Sequence, residues 1–187
     1  GGWVTLTKTD KSRTLVVPFA GMYGDYQKVK VLQDIWDVNS AGTALEVVYD
    51  LPALATSGDP DDIVTAKDPK RTFSMSGSDV PHLLFHLDYP VSDVYFNIYK
   101  ATSSGKKGAE VFRGYKTFLQ TGELGRDNAF LDLPFDGVIP FSASTTHGLT
   151  VPNGDYVFEI RALKALGNPK TSSHWETWTS PAFAVDR

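Results

Sequence analysis

Along this chain, apolar positions recur at every second residue far more often than at every third or fourth. Residues 155–163 carry the clearest case. Tyr156, Phe158, Ile160 and Ala162 fall on one side, with Val157, Glu159 and Arg161 on the other. A two-residue period belongs to a strand, whose successive side chains leave opposite faces. Residues 93–99 repeat it, with Val94, Phe96 and Ile98 opposed to Tyr95, Asn97 and Tyr99. Residues 82–88 put Leu83, Phe85 and Leu87 together, and the tail alternates Trp178, Ser180, Ala182, Ala184 and Asp186 against Pro181, Phe183 and Val185. Shorter runs lie at 44–49, 110–121 and 129–134. Residues 27–38 are ambiguous: Val31, Leu32, Ile35 and Trp36 suit one face of a short helix, but β-branched residues interrupt it.

The first residues read as a β-hairpin. Trp3-Val4-Thr5-Leu6-Thr7 and Arg13-Thr14-Leu15-Val16-Val17 flank a polar turn at 8–12, and Pro18 marks a strand end or edge. Two strands alone are at best marginally stable, so Val4, Leu6, Leu15 and Val17 are expected to pack on residues 82–187 or to recruit a second chain. From 53 to 80 the composition turns to Ser, Asp, Pro, Lys and Thr, with Gly58-Asp59-Pro60 and Asp68-Pro69 as breakers. The expected organisation is therefore closing strands plus a connecting segment at 1–52, a polar linker or long loop at 53–80, and a C-terminal β-sandwich at 81–187. The expected fold is all-β, an antiparallel sandwich of the fibronectin-III or Ig-like kind with the hairpin packed on it.

Composition sharpens the picture at a few points. Aromatics make up 12 % of the 187 residues, a bias that suits strands. A net charge of −4 gives no basic field for nucleic acid, and no apolar run approaches the roughly 20 residues of a membrane span. Cysteine is absent, which removes disulfides, thiol catalysis and Cys-type zinc sites. Gly1-Gly2-Trp3 shows no charged-then-apolar signal, so a targeting peptide is expected outside these residues. No N-glycosylation sequon occurs.

Candidate chemistry is sparse. There is no Gly-x-Ser-x-Gly elbow; Ser76-Gly77-Ser78 sits in the polar excursion. Of His82, His86, His147 and His174, the first two share a strand face about 13 Å apart, too far to chelate one metal. Asp59, Asp61, Asp62 and Asp68 read either as a solvated acidic loop or as a Ca²⁺ site lacking the EF-hand spacing. Gly21-Met22-Tyr23-Gly24 precedes no Lys-Ser or Lys-Thr of a phosphate cradle. The remaining candidates are aromatic. Trp36, Trp175 and Trp178 lie in polar surroundings and form a possible surface for stacking sugars or anchoring a partner, with strand packing as the alternative use.

Three segments, in order, resemble the C-terminal region of large secreted subtilisin-like serine proteases, particularly fungal ones. The first is Leu15-Val16-Val17-Pro18-Phe19-Ala20-Gly21-Met22-Tyr23-Gly24-Asp25-Tyr26, similar to the run closing the fibronectin-III-like domain of the C5a-peptidase and lactocepin group. The second is Val151-Pro152-Asn153-Gly154-Asp155-Tyr156 with the strand through Lys164. The third is Trp175-Glu176-Thr177-Trp178-Thr179-Ser180-Pro181-Ala182-Phe183-Ala184-Val185, similar to the last strand of the same tail. The resemblance implies a secreted accessory sandwich, with no cofactor and no enzymatic activity of its own, because no segment matches the Asp, His or Ser motif of the family. It implies as partners the parent catalytic domain or its substrate. An independent carbohydrate- or protein-binding, lectin-like module is the alternative function, with glycan as its possible partner, and a homo-oligomer through the hairpin is a further expectation.

Overall fold

A computed structural model of the protein describes residues 2–19, 24–38, 40–43, 45–119, 130–140 and 148–187. The chain is all-β. Its strands are β1 (Gly2–Thr7), β2 (Thr14–Phe19), β3 (Ile35–Val38), β4 (Leu45–Tyr49), β5 (Ala53–Ala55), β6 (Ile63–Val64), β7 (Thr72–Phe73) and β8 (His82–Phe85). There follow β9 (Val91–Ala101), β10 (Lys107–Leu119), β11 (Leu131–Pro134), β12 (Val138–Pro140), β13 (Gly148–Thr150), β14 (Gly154–Lys164), β15 (Trp175–Thr179) and β16 (Phe183–Val185).

Two sheets face each other. The larger runs β10-β9-β14-β16-β7, with β15 added to β14; the smaller runs β11-β8-β5-β6. Among the described residues all strand pairings are antiparallel except β16 with β7, where Val185 lies opposite Phe73. The alternation in the sequence decides what meets between the sheets. Val94 and Ile98 of β9 and Tyr156, Phe158, Ile160 and Ala162 of β14 meet Leu54, Leu83 and Phe85 from the smaller sheet, all buried in one cluster. Phe183 is fully enclosed and stacks on Phe158 at 4.8 Å between ring centroids. Each enclosed valine, leucine, isoleucine or phenylalanine among them contributes about 1.5–3 kcal/mol by leaving water.

The smaller sheet is also covered on its other face. Leu84, on the opposite side of β8 from Leu83 and Phe85, is buried with Ile35, Leu51, Ala53 and Ala55. That second cluster corrects the expected linker. Residues 53–80 supply β5 and β6 to one sheet and β7 to the other, and Leu54, Ala55 and Phe73 are completely enclosed. The polar composition belongs to the turns between these very short strands, and the few apolar residues are the ones that pack. The sandwich thus begins well before residue 81.

Residues 27–38 form no α-helix. A 3₁₀ turn at Tyr26–Lys28 is capped by the Asp25 side chain, and the chain then runs extended into β3. This strap is tied to the sandwich at several points. The Tyr26 hydroxyl donates to Pro90 O at 2.9 Å, Lys164 Nζ to Gln27 O at 2.7 Å, and the backbone N–H groups of Val31 and Leu32 to the Glu176 carboxylate at 2.9 Å. The tail, which alternates as one strand in the sequence, is broken in two. Pro181 cannot donate to a ladder, and Ser180 Oγ accepts from Phe158 N–H at 2.9 Å where the chain steps from β15 to β16.

The N-terminal hairpin forms in the expected register, with Val4 opposite Val17 and Leu6 opposite Leu15. It is not covered by the sandwich, contrary to expectation. Trp3, Val4, Leu6, Leu15, Val16 and Val17 are all exposed, Trp3 to 70 %. Apolar side chains leave both faces of this ribbon, and among the described residues β1 and β2 pair only with each other.

Candidate functional site

The strand β15 is an edge. It pairs with residues 159–163 of β14 on one side and, among the described residues, with no strand on the other. An antiparallel strand points about half of its N–H and C=O groups away from its partner, so β15 presents a row of backbone groups outward. Because side chains alternate, it sends Trp175 to the outer face of the large sheet and Trp178 to the inner side.

On the outer face, Trp175 lies opposite Leu163, 5.7 Å from the Tyr95 ring, with the Arg161 guanidinium 4.7 Å over it. Its indole N–H donates to Pro169 O at 3.0 Å. Farther across the same face, Glu159 is fully buried. Its carboxylate accepts from Asn97 Nδ2 at 3.0 Å and the Tyr99 hydroxyl at 3.1 Å, and it pairs with Lys107 Nζ. Tyr99 also reaches Glu110, which Arg113 holds at 2.7 Å. Burial, then the Glu159 charge, pushes the Tyr99 hydroxyl up to about 12, while the Arg113 hydrogen bond holds the Glu110 carboxyl below its usual range. The network ties β10, β9 and β14 together. A general base needs an open path to substrate, and the enclosed Glu159 carboxylate has none.

On the inner side, Trp178 lies opposite Ile160 and packs against the main core, yet it also lines two open cavities of about 640 and 500 Å³. Asp50, Pro52 and Trp178 line both, so the two form one trough along the free edge of β15. Its far wall is built by Ile63 and Val64 of β6 and by Lys30, Leu32 and Asp34 of the strap. The strap stands there because Glu176, from β15 itself, accepts its backbone N–H groups and pairs with Lys164 at 3.1 Å.

The sequence candidates are therefore dispersed. Trp175 and Trp178 occupy opposite faces of one strand, Trp36 sits exposed on the β3–β4 ribbon, and among the described residues no ring contact joins two tryptophans. His82 Nδ1 meets Asp132 at 2.8 Å, His86 lies 3.5 Å from Asp88, and His174 Nδ1 accepts from Asn168 N–H. His147 and Gly21-Met22-Tyr23 lie outside the described residues. Ser76 sits in a tight turn closed by Asp79. In the acidic loop, Asp59 caps the 3₁₀ turn at Pro60–Asp62, Asp62 accepts from Ser57, and Asp68 accepts from Thr65 N–H. Among the described residues, no group of three or more His, Asp or Glu is arranged to hold a metal ion, and no helix is long and apolar enough to cross a membrane. The trough was not legible in the sequence. Its one signal was the Ser180-Pro181 break, which fixes where β15 ends.

No protein-family model matches this chain, and no curated protein matches it.

Proposed function

We propose that this chain is a non-catalytic accessory β-sandwich of a secreted subtilisin-like serine protease, stabilising the parent enzyme or carrying a surface for its substrates and partners. The three ordered segments that resemble the C-terminal region of that family motivate the reading. The hairpin is the observation that carries it. A two-stranded ribbon with apolar side chains on both faces is marginal by itself, and it gains stability when further β-structure covers it. In the proposed parent, the fibronectin-III-like domain that these strands close supplies that cover.

Two measurements test this. Sequencing the transcript that encodes the chain should reveal the Asp, His and Ser regions of a subtilase upstream in the same frame. The purified chain, incubated with casein and a fluorophosphonate probe, should show neither turnover nor labelling. A frame without a protease region, or a specifically labelled serine, would overturn the reading.

A further inference from the structure

The trough beside β15 combines three features seen together nowhere else among the described residues. One wall is a free strand edge, whose outward N–H and C=O groups need partners. Its apolar surface comes from Trp178, Pro52 and Pro181, with Ile63 and Val64 opposite. Its charge is unbalanced. Lys70 is held by Asp155 at 2.7 Å and Glu176 by Lys164 at 3.1 Å, which leaves Asp34, Asp50 and Asp68 against Lys30 alone. The side chains of Asp34 and Asp50 carry no hydrogen bond or ion pair among the described residues.

We infer that β15 is a docking edge for an extended, basic peptide segment of a partner protein, added antiparallel or parallel as a further strand along the trough. Strand addition takes its affinity from main-chain hydrogen bonds and its selectivity from pockets for alternate side chains. The five residues of β15 span about 17 Å, enough for a segment of roughly five residues at strand rise. Beside this edge the strap stands at the reach of the Glu176 side chain, which accepts from Val31 and Leu32 N–H, and β6, only two residues long, ends the opposing sheet. Its excess acid selects for lysine or arginine on the incoming segment, and Trp178 with the two prolines accepts an apolar neighbour. This role does not depend on the parentage proposed above, since the edge and its charges belong to this chain.

The probe is a fluorescein-labelled octapeptide of alternating valine and lysine, followed by anisotropy with the full chain at physiological salt. Its controls are the valine–glutamate peptide and a lysine peptide in which proline replaces the central valines, removing backbone donors. The valine–lysine peptide should saturate. Both controls should bind at least tenfold more weakly, and D34N/D50N, two surface changes that leave the core intact, should weaken it at least fivefold. Amide shifts in ¹⁵N spectra of the full chain should concentrate at residues 176–180. Absence of saturation would overturn the inference, as would equal binding of the proline peptide or shifts centred elsewhere. A concentration-dependent dimer formed through β15 without peptide would replace the peptide with a second copy and overturn it equally.

Discussion

Lys107 and Glu159 form an ion pair in which the carboxylate is wholly enclosed while two-fifths of the lysine side chain remains exposed. The pair spans the sheet from β10 across β9 to β14, and Asn97 and Tyr99 complete the shell around the carboxylate. Removing the cation alone strands a buried charge, which is far worse than removing both partners. K107M should therefore cost about 2–4 kcal/mol, at the lower side because the lysine is partly solvated. Adding E159Q should recover part of that loss. A double-mutant cycle in urea checks it, and additive losses would refute the coupling.

Tyr99 should ionise well above the ordinary tyrosine value. Its neutral form is favoured by burial and by donation to Glu159, which lifts its value to about 12. A group whose neutral form the fold prefers leaves stability unchanged below its unfolded value near 10 and lowers it as pH climbs from there. The ultraviolet difference between the protein and Y99F should show no tyrosinate from this residue up to about pH 11. A midpoint near 10 would contradict the network.

Asp79 works in the opposite sense. Its carboxylate accepts from the Ser74 hydroxyl at 2.7 Å and from Ser74 N–H at 2.8 Å, with Arg71 nearby, and the Ser74 hydrogen bonds hold it below the usual carboxylate range. Its stabilisation is present above the unfolded value and is lost as pH falls through the lower folded one. The Tm of D79N should consequently fall less than that of the unaltered protein from roughly pH 5 to below 3. Parallel acid limbs would argue against the role.

Leu54 decides whether residues 53–80 belong to the sandwich. The side chain is completely enclosed, between Leu83 on β8 and Val64 on β6 in the ladder. L54A should cost about 2–5 kcal/mol, a Tm loss on the order of 5–15 °C for a chain this size. An unchanged Tm would restore the linker reading.

Where alternation was long, the sequence was easy to read. Residues 93–99 and 155–163 announced β9 and β14 because half of each run is obliged to face an apolar layer. Residues 53–55 and 72–73 were opaque for the opposite reason: strands of two or three residues are too short to show a period, and turn residues outweigh them. Trp175 and Trp178 could be placed on opposite faces of a strand by counting, but their surroundings could not. Arg161, Tyr95 and the strap reach them from distant parts of the chain.

What the amino-acid order alone determined is the β-character of the chain and which residues share a face, since both follow from local backbone geometry. Only the tertiary structure decided which faces meet, that Glu159 is enclosed, that the hairpin stands uncovered and that β15 is left with a free edge. Those outcomes depend on pairings between segments far apart in the chain, and a two-residue period holds no record of its eventual neighbours.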